Sequence, residues 1–551
     1  MKTSGHVGDG PGIRPTNSEE ARQMSNSTSA GHLPSPPDWE NSRDSLAGAG
    51  WGGTAEDLAA LLPPALQTEP AFSWLRFKSL TGGRRNDPLA KLLGDPSHER
   101  RQAWLNQMYG DGTPDFTIDR TDLDAPTFLL LGDTGEGDIS QYAPMSIIDA
   151  VGPGTDFMVI CSDVIYPAGG ALEYAYKLSW PYQHYPRPIY ALPGNHDWYD
   201  GLRGFMAYFC GQRSAPPRQR RSLLSRGGLL DRLWLDESEP DDLVKRQSLE
   251  TLRRESSQQV RLPGPYYRIS TGPLDLIAID TGIDGTIDAA QGEWLRQISR
   301  GPKPKVLLTG KPIYVNGHHN PCSIDGGRQG TVDDIIRDPA NRYVAVIGGD
   351  VHNYQRYPVQ VGSRIIQYLV SGGGGAYMHP THKIPNIDQT ELEGVSEKSF
   401  RCYPLRGDSL SFYSQLYEKK FPGSWHLTPP EAAAYLADRL GITPAKEGFE
   451  AAPVSRELRR RGNRVYPMPG QLRGPWHMLF AEFFDWNDPP LFKHLLHVRT
   501  AGTELSISCL PATGCIGPRP PKPEDEVVCR FDRGDQWTQV RHSGPSPEST
   551  P

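Results

Sequence analysis

The stretch DFMVICSD, residues 156–163, is a short apolar run that ends in a serine and an aspartate. TFLLLGD at 127–133 has the same form, and RPIYALPGNHD at 187–197 ends in an asparagine, a histidine and an aspartate. Apolar runs bounded by Gly, Pro or Asp are typical of strands buried on both faces. After a long interval, three further runs follow: LDLIAIDTG at 274–282, KVLLTGKP at 305–312 and RYVAVIGGDVH at 342–352.

Segments with helical spacing lie between these runs, for example DAAQGEWLRQIS at 288–299. Alternating strands and helices predict a layered α/β domain. The polar residues gather at the carboxyl ends of the strands, where sheets of this kind bind their ligands. We assign the domain to residues 125–380.

The rest of the chain divides by composition. Residues 1–55 are rich in Gly, Ser, Pro and Asn and are expected to be disordered. Residues 56–124 are predicted to form a helical extension. A charged stretch at about 202–260 interrupts the domain, either as a solvated surface insertion or as a lid over a substrate. Residues 381–516 pack on or complete the domain, with a helix at 428–441 and a hairpin at 494–510. The Pro-rich end, 517–551, is predicted to be a flexible tail.

Bulk properties exclude several classes of protein. A formal net charge of -7 over 551 residues gives no broad basic field, so nucleic acid is not expected as a partner. The amino terminus lacks an apolar signal segment. Because the chain has no uninterrupted apolar run of about 18 residues, we predict no membrane span. The 7 cysteines are scattered without a CxxC pair, which argues against disulfides and a cysteine zinc site and favours the cytoplasm. The oligomeric state is left open.

The strand ends carry residues with metal-binding chemistry. An aspartate after one strand is usually a turn or capping residue, but here several loops would converge on one sheet edge with carboxylates, an amide, a phenol and an imidazole. Such donors suit Mn, Fe, Zn or Mg, and two ions about 3.5–4 Å apart can hold a phosphoryl oxygen and activate water. The loops are Gly132–Gly135, Ser162–Tyr166, Gly194–Asp197, Gly310–Pro312 and Gly349–Tyr354.

This ordered set resembles the calcineurin-like metallophosphoesterases and, among them, the purple acid phosphatases. The resemblance extends from about Pro126 to Pro380, and it includes GPYY at 264–267, QGEWL at 291–295 and SGGGG at 371–375. It implies a four-layer β-sandwich flanked by helices, with metals at one sheet edge.

The resemblance also implies a role for each site residue, with one or two divalent or trivalent ions (Fe, Mn or Zn) as cofactor. His196 would contact the substrate phosphate or act as general acid, and Asp197 would orient it. The implied metal ligands are Asp133, Tyr166 and His352 for the first ion, Asp163 as the bridge, and Asn195 and Asp350 for the second ion.

Two positions depart from the family pattern, because histidine is usual where this chain has Lys311 and Asp350. At an effective dielectric near 20, unit charges about 4 Å apart interact by about 4 kcal/mol, so an ammonium facing a dication costs roughly twice that. Three outcomes stay open. Lys311 turns to the substrate phosphate while a second metal binds, it pairs with Asp350 and replaces that metal, or the site is inactive.

Other residues near these motifs are weaker candidates. His318 and His319 follow Lys311, and His379 and His382 follow the glycine run; either pair could lend an imidazole, although loop histidines are usually just solvated. Tyr354 and Arg356 are expected to support the metal ligands rather than to touch the substrate.

The function predicted from these residues is metal-dependent hydrolysis of phosphate esters, with a small phosphorylated molecule as substrate. The alternative is a catalytically impaired binding or regulatory protein on the same scaffold. The altered Lys311 and Asp350 positions favour the alternative, whereas the preserved His196 and Asp197 oppose it.

Overall fold

The computed structural model describes residues 95–112, 114–212, 214–217, 253, 258, 260–420, 423, 425–445, 453–467, 491–512 and 522–531. The predicted disordered segment 1–55 lies outside these ranges, as do much of the predicted helical extension, most of the charged stretch after 202 and most of the predicted tail. Among the helices in the described ranges, none has the length and hydropathy that a membrane crossing requires.

The strands are numbered in chain order. They are β1 Thr117–Arg120, β2 Thr127–Leu131, β3 Phe157–Cys161, β4 Ile189–Leu192, β5 Tyr267–Thr271, β6 Asp275–Ile279, β7 Lys305–Thr309, β8 Tyr314–Val315, β9 His318–His319, β10 Tyr343–Gly348, β11 Tyr354–Val361, β12 Arg364–Ser371, β13 Arg401–Tyr403, β14 Lys493–Ala501, β15 Glu504–Ala512 and β16 Asp525–Arg530.

The helices lie between and after these strands, joined by short 3₁₀ turns. They are α1 Ser97–Tyr109, α2 Ile139–Tyr142, α3 Met145–Val151, α4 Ala171–Tyr174, α5 Asn195–Trp198, α6 Arg203–Phe209, α7 Ala289–Ser299, α8 Val332–Arg337, α9 Arg406–Lys420, α10 Pro429–Leu440 and α11 Arg456–Val465. A π-helical turn, Ala175–Ser179, continues α4.

Most strands belong to two sheets. One has eight strands in the order β1-β5-β6-β7-β10-β12-β11-β13, and the other has six in the order β16-β15-β14-β2-β3-β4. Strands β2, β3 and β4 are parallel to one another, and so are β6, β7 and β10. The carboxyl ends of each parallel set therefore lie at one edge of its sheet.

The two sheets pack face to face with helices outside them. In β6, Leu276 and Ala278 belong to a core shared with β2, β3 and β4, whereas Ile277 and Ile279 belong to a second core that includes side chains of α7 and α8. Alternate side chains of a strand point to opposite faces, so the eight-stranded sheet is covered on both sides. The predicted layered α/β sandwich is confirmed.

The local predictions for the strands hold. The six apolar runs form β2, β3, β4, β6, β7 and β10. Segment 288–299 forms α7, and the Asp288 side chain caps it by accepting a hydrogen bond from the Gln291 amide at 2.9 Å. The helix at 428–441 is α10, with Thr428 as N-cap and Gly441 in the left-handed conformation at its end.

The segment after residue 380 adds strands to both sheets. The predicted hairpin is formed by β14 and β15, and β14 pairs with β2, where Leu496 lies opposite Leu130. Strand β13 pairs with β11 at the edge of the eight-stranded sheet.

Two stretches differ from their predicted state. Within the predicted helical extension, residues 117–120 form β1, because their backbone pairs in parallel with β5. Within the predicted flexible tail, residues 525–530 form β16, which pairs with β15 along its length. The partner of β1 lies far away in sequence, so the local composition carries no sign of that pairing. The partner of β16 is the strand just before it, but the segment between them is Pro-rich, which favoured the prediction of a tail.

The two sheets contact each other through a hydrogen-bonded side chain near the carboxyl ends of their strands. The buried Cys161 thiol, at the end of β3, lies 3.1 Å from the Thr309 carbonyl oxygen and 3.5 Å from that of Ile347. These carbonyls belong to β7 and β10 of the other sheet. The loops that follow these strands are therefore brought together at one edge of the sandwich.

Candidate metal centre

The strand-end loops have an unusual backbone. The angle φ is 57° at Asp133, 78° at Ser162, 31° at Asp163 and 64° at Asp350. A residue other than glycine in such a conformation costs about 1–3 kcal/mol and persists only where its surroundings impose it. The residues with positive φ gather in the three loops that carry the predicted carboxylate ligands, and such conformations cluster at functional sites.

Glycines let the backbone approach these carboxylates closely. A Cβ atom added at Gly194 would lie 2.2 Å from Oδ1 of Asp163, and one added at Gly349 would lie 2.6 Å from Oδ2 of Asp133. Any side chain at either position would displace a predicted ligand, so the loops form a close-fitting cradle around the two carboxylates.

The predicted first-metal residues come together around one phenol. The Tyr166 hydroxyl lies 2.9 Å from Oδ1 of Asp133, 3.2 Å from Oδ2 of Asp163 and 3.0 Å from Nε2 of His352. All four side chains are buried. In the described ranges no group of three or more His, Cys, Asp or Glu side chains is already closed around a metal position; here a hydroxyl links the three groups. Binding a metal would exchange these hydrogen bonds for coordination.

The ring of His352 is oriented by its other nitrogen. Nδ1 lies 2.8 Å from the Tyr377 carbonyl oxygen, so it carries the proton and donates it there. Nε2 is then left unprotonated and directed at Tyr166 and Asp133, from which it is 3.0 and 3.7 Å away. A backbone carbonyl that fixes the tautomer is the usual support of a metal-binding histidine.

The electrostatics of this cluster fit a cation. Burial, followed by the charges of Asp163 and Asp350, raises the pKa of Asp133 well above its usual range. Burial likewise lowers the pKa of His352 well below its usual value. A buried metal ion would offset the repulsion between the carboxylates and would suit a neutral imidazole, so this donor set is compatible with a metal.

Asn195 presents an unused acceptor. Its Nδ2 donates a hydrogen bond of 2.9 Å to the Tyr199 hydroxyl, whereas its Oδ1 is buried and has no hydrogen-bond partner. A buried acceptor without a partner needs an explanation, and a cation supplies one. Tyr199 was missed in the sequence, although its position one helical turn after Asn195 is a signal for such a contact.

The two altered positions contact each other. Lys311 Nζ lies 3.0 Å from Oδ1 of Asp350, and both side chains are about one quarter exposed, at 26% and 24%. The Asp350 amide donates to both carboxylate oxygens of Asp133, at 3.1 and 2.9 Å. Burial raises the pKa of Asp163 and lowers that of His196, and the Lys311 charge acts on both groups as a smaller contribution. Lys311 therefore belongs to the electrostatics of the site.

Comparison with known proteins gives a family match for less than half of the chain. Residues 126–354 match the calcineurin-like phosphoesterases. We call this region the phosphoesterase domain. The resemblance stated from the sequence is confirmed at this level, and no curated protein matches the chain significantly.

Solved structures similar to the chain overlap with it only loosely. They include a purple acid phosphatase from yellow lupin (Lupinus luteus) seeds, which is 15% identical over 47% of this chain and 46% of its own, with a TM-score of 0.30. A structure of PhoD is 11% identical over 79% of this chain and 74% of its own, with a TM-score of 0.35. The anchor in the inner membrane complex of Plasmodium is 12% identical over 50% and 80%, with a TM-score of 0.31. The chain thus spans about half the length of the lupin phosphatase.

In the phosphoesterase domain, His196 lies beside the first-metal residues. Its ring centroid is 4.3 Å from that of Tyr166, and its backbone amide donates a hydrogen bond of 2.8 Å to Oδ1 of Asp163. Its Nδ1 lies 2.8 Å from the Pro167 carbonyl oxygen and so carries a proton, which leaves Nε2 for proton exchange. Burial lowers the pKa of His196, and the charge of Asp163 partly offsets this effect.

Asp197 has a different role from the one expected. Its Oδ2 accepts hydrogen bonds from the amides of Val164, at 3.0 Å, and Gly194, at 2.9 Å, and its Oδ1 accepts one from the Tyr174 hydroxyl. Asp197 thus ties together the loops after β3 and β4 of the phosphoesterase domain. The prediction that it orients His196 is corrected, because the carbonyl described above holds that ring.

The side chains of Tyr354 and Arg356 both bind a residue of β16. The Tyr354 hydroxyl lies 2.7 Å from Oδ2 of Asp525, and the guanidinium of Arg356 binds both carboxylate oxygens of Asp525, at 2.5 and 2.9 Å. The Arg356 side chain is fully buried. This arrangement attaches β16 to the phosphoesterase domain and argues against contact between Arg356 and a substrate.

His318 and His319 form β9, in a two-stranded hairpin with β8. His319 Nε2 lies 2.8 Å from Oδ2 of Asp333, and its ring stacks on Tyr314 at 4.6 Å. These contacts hold the His319 imidazole away from the position that Lys311 occupies.

His379 and His382 behave differently from each other. The His379 ring is stacked on His352 at 4.2 Å, and its Nδ1 accepts a hydrogen bond of 3.1 Å from the His352 amide. His382 is buried against α9, with Nδ1 at 2.8 Å from the Ser409 hydroxyl. His379 therefore lies directly behind a predicted ligand, whereas His382 is part of the packing of the C-terminal helices.

Proposed function

We propose that the chain hydrolyses phosphate esters of small molecules by metal-assisted attack of water on phosphorus. The observation that carries the proposal is the convergence of Asp133, Asp163 and His352 on the Tyr166 hydroxyl. These donors come from three loops of a calcineurin-like phosphoesterase domain. The net charge of -7 favours a small phosphorylated substrate over a nucleic acid.

The residues divide into a complete first-metal set and an altered second position. Asp133, Tyr166 and His352, with Asp163 between the two positions, would hold iron, manganese or zinc. Asn195 and Asp350 border the second position. When bound, such an ion lowers the pKa of a water molecule and neutralises charge on the phosphoryl oxygens.

The protein's own groups would bind and protonate the substrate. The Lys311 ammonium, one quarter exposed, is available to phosphoryl oxygens at the mouth of the site. His196, with its Nδ1–H held by the Pro167 carbonyl, would give a proton from Nε2 to the departing alkoxide when its ring is in the doubly protonated form. Asp197 would act indirectly, by fixing the loops that carry these groups.

The test is turnover of p-nitrophenyl phosphate and bis-p-nitrophenyl phosphate by chelator-treated full-length protein, with Fe, Mn or Zn added across a range of pH. We expect metal-dependent release of p-nitrophenol and a loss of at least about 100-fold in Asp163→Asn. Asp122→Asn is the matched control, because Asp122 is exposed in a turn, and it should keep wild-type turnover.

A second candidate is a non-catalytic binding or regulatory protein. The Lys311–Asp350 ion pair favours it, because it alters one half of the site. This candidate expects metal or phosphate to bind with no turnover of either ester under any condition. Turnover that depends on Asp163 would exclude it.

For the compartment, we propose the reducing cytoplasm. The support is chemical, since the cysteines within the described ranges are free thiols, and most of them are buried. Cell fractionation with tagged full-length protein tests this proposal.

A further inference from the structure

The second-metal position contains a charged side chain of the protein itself. Lys311 follows β7 and Asp350 follows β10, so their loops are neighbours at the sheet edge. The ammonium lies 3.0 Å from the Asp350 carboxylate, and its charge acts on Asp163, the predicted bridging ligand. A positive charge is thus already held beside Asp350, one of the ligands that the resemblance implies for a second metal.

This arrangement disfavours a second metal ion. The ammonium would repel an adjacent cation, and the partially buried position limits screening by water. Asp350 is engaged twice, since its carboxylate binds Lys311 and its amide binds Asp133. Of the predicted second-metal ligands, Asn195 presents a buried acceptor without a hydrogen-bond partner, its Oδ1.

The nearby imidazoles do not replace the missing histidines. His379 accepts the amide proton of His352 at Nδ1, so its Nε2 carries the ring proton and has no lone pair for a metal. His319 is bound to Asp333 in the β8–β9 hairpin. His319 and His379 are therefore engaged in other ways.

We infer that the Lys311 ammonium, fixed by Asp350, replaces the second metal, so that the chain binds one metal ion at Asp133, Asp163, Tyr166 and His352. The second positive charge that faces the substrate phosphate is then a lysine. This inference rests on the proposed function, since it requires the first metal to bind.

Metal stoichiometry tests the inference directly. Full-length protein is stripped with a chelator, loaded with excess Mn, Fe or Zn in separate samples, desalted, and analysed by inductively coupled plasma mass spectrometry. Wild type and Lys311→Arg, which keeps the charge, are expected to retain one metal per chain. The double variant Lys311→His/Asp350→His, which supplies both family histidines, is expected to retain two.

A single variant guards against misfolding of the double one. Lys311→Met removes the charge but keeps most of the stem, and we expect at least tenfold tighter binding of a second metal, measured by isothermal titration. Two metals per chain in wild type, or one metal in a folded double variant, would overturn the inference and leave the proposed function standing. No bound metal in wild type would overturn both.

Discussion

Tyr166 connects the ligands of the first-metal set. Burial and the charges of Asp133 and Asp163 raise the pKa of its phenol well above the usual value, so without a metal the hydroxyl stays protonated and donates to its neighbours. A bound cation would reverse this preference, because a coordinated phenolate gains from the positive charge. The same residue therefore serves as a hydrogen-bond donor in one state and as a ligand in the other.

Replacement of Tyr166 by Phe is expected to remove the colour of the iron-loaded protein. A purple absorption band arises from charge transfer between tyrosinate and ferric iron, and Tyr166 is the tyrosine that contacts the other ligands. Iron affinity should also fall about 10–100-fold. The visible spectrum after loading with ferric iron measures the effect.

The matched control is Tyr185→Phe. Tyr185 is also buried, but its hydroxyl binds Thr155, far from the loops of the site. This variant should stay purple. If Tyr166→Phe kept the band, Tyr166 would not be an iron ligand.

At the level of single residues, the sequence predicted where side chains meet better than how they are oriented. Asp133, Asp163 and His352 each follow a strand that is evident from its apolar residues, so their meeting point could be predicted. The family resemblance implied that Asp197 orients His196. Both lie on α5, however, where neighbours do not face each other, and Asp197 turns back to the Gly194 amide at the start of the helix.

Among the elements, α1 supports the loop that bears Asn195. Arg101 on α1 donates a hydrogen bond of 2.7 Å to Oδ2 of Asp280, and Trp198 at the end of α5 donates one of 2.9 Å to Oδ1 of the same carboxylate. All three side chains are buried. The helix predicted as part of an extension therefore has a structural role in the domain.

Substitution of Arg101 by Met should lower the free energy of unfolding by about 3–5 kcal/mol, because it leaves the Asp280 carboxylate buried without its counter-charge. Urea unfolding followed by circular dichroism measures this change. Arg120→Met is the control, since its ion pair with Asp122 lies at the surface and should contribute less than about 1 kcal/mol. Equal stability of the two variants would contradict the proposed role of α1.

For the whole molecule, the contact between Arg356 and Asp525 attaches the last described strand to the eight-stranded sheet. The two residues lie in β11 and β16, which belong to different sheets. Burial alone would raise the pKa of Asp525, but the charge of Arg356 and the hydrogen bonds outweigh it and lower the pKa. The pair thus stabilises the sandwich as long as Asp525 is ionised.

This linkage predicts a dependence of stability on pH. The pKa of Asp525 is lower in the folded protein than the value of about 3.9 for an unfolded chain, so its contribution is present above that value and disappears as the pH falls through the folded one. Asp525→Asn should lose about 3–5 kcal/mol at neutral pH, because Arg356 stays buried without its partner.

Denaturant unfolding at neutral and acidic pH measures both effects, with Asp122→Asn as the exposed control. The difference between wild type and Asp525→Asn should shrink as the pH falls below about 4. A difference that does not change with pH would show that the charge of Asp525 is not the cause.

The strands that form the site could be predicted from sequence, whereas the edges of the sheets could not. Each of β2, β3, β4, β7 and β10 is marked by its own apolar residues and by a terminal Gly or Asp. The pairing of β14 with β2 depends on contacts such as that between Leu496 and Leu130, which no local pattern records. β16 pairs with the preceding strand, but its attachment to the eight-stranded sheet likewise depends on a residue distant in sequence, Arg356.

The position of β14 has a consequence for biosynthesis. The Thr500 hydroxyl donates to the Pro126 carbonyl across 374 residues of chain, and β14 covers the side of β2 that β3 leaves open. While the ribosome synthesises the residues between β2 and β14, the edge of β2 that β14 will cover has no partner strand. This edge lies beside the Asp133 loop. A nascent chain at this stage can pair that edge with another polypeptide until β14 is synthesised and covers it.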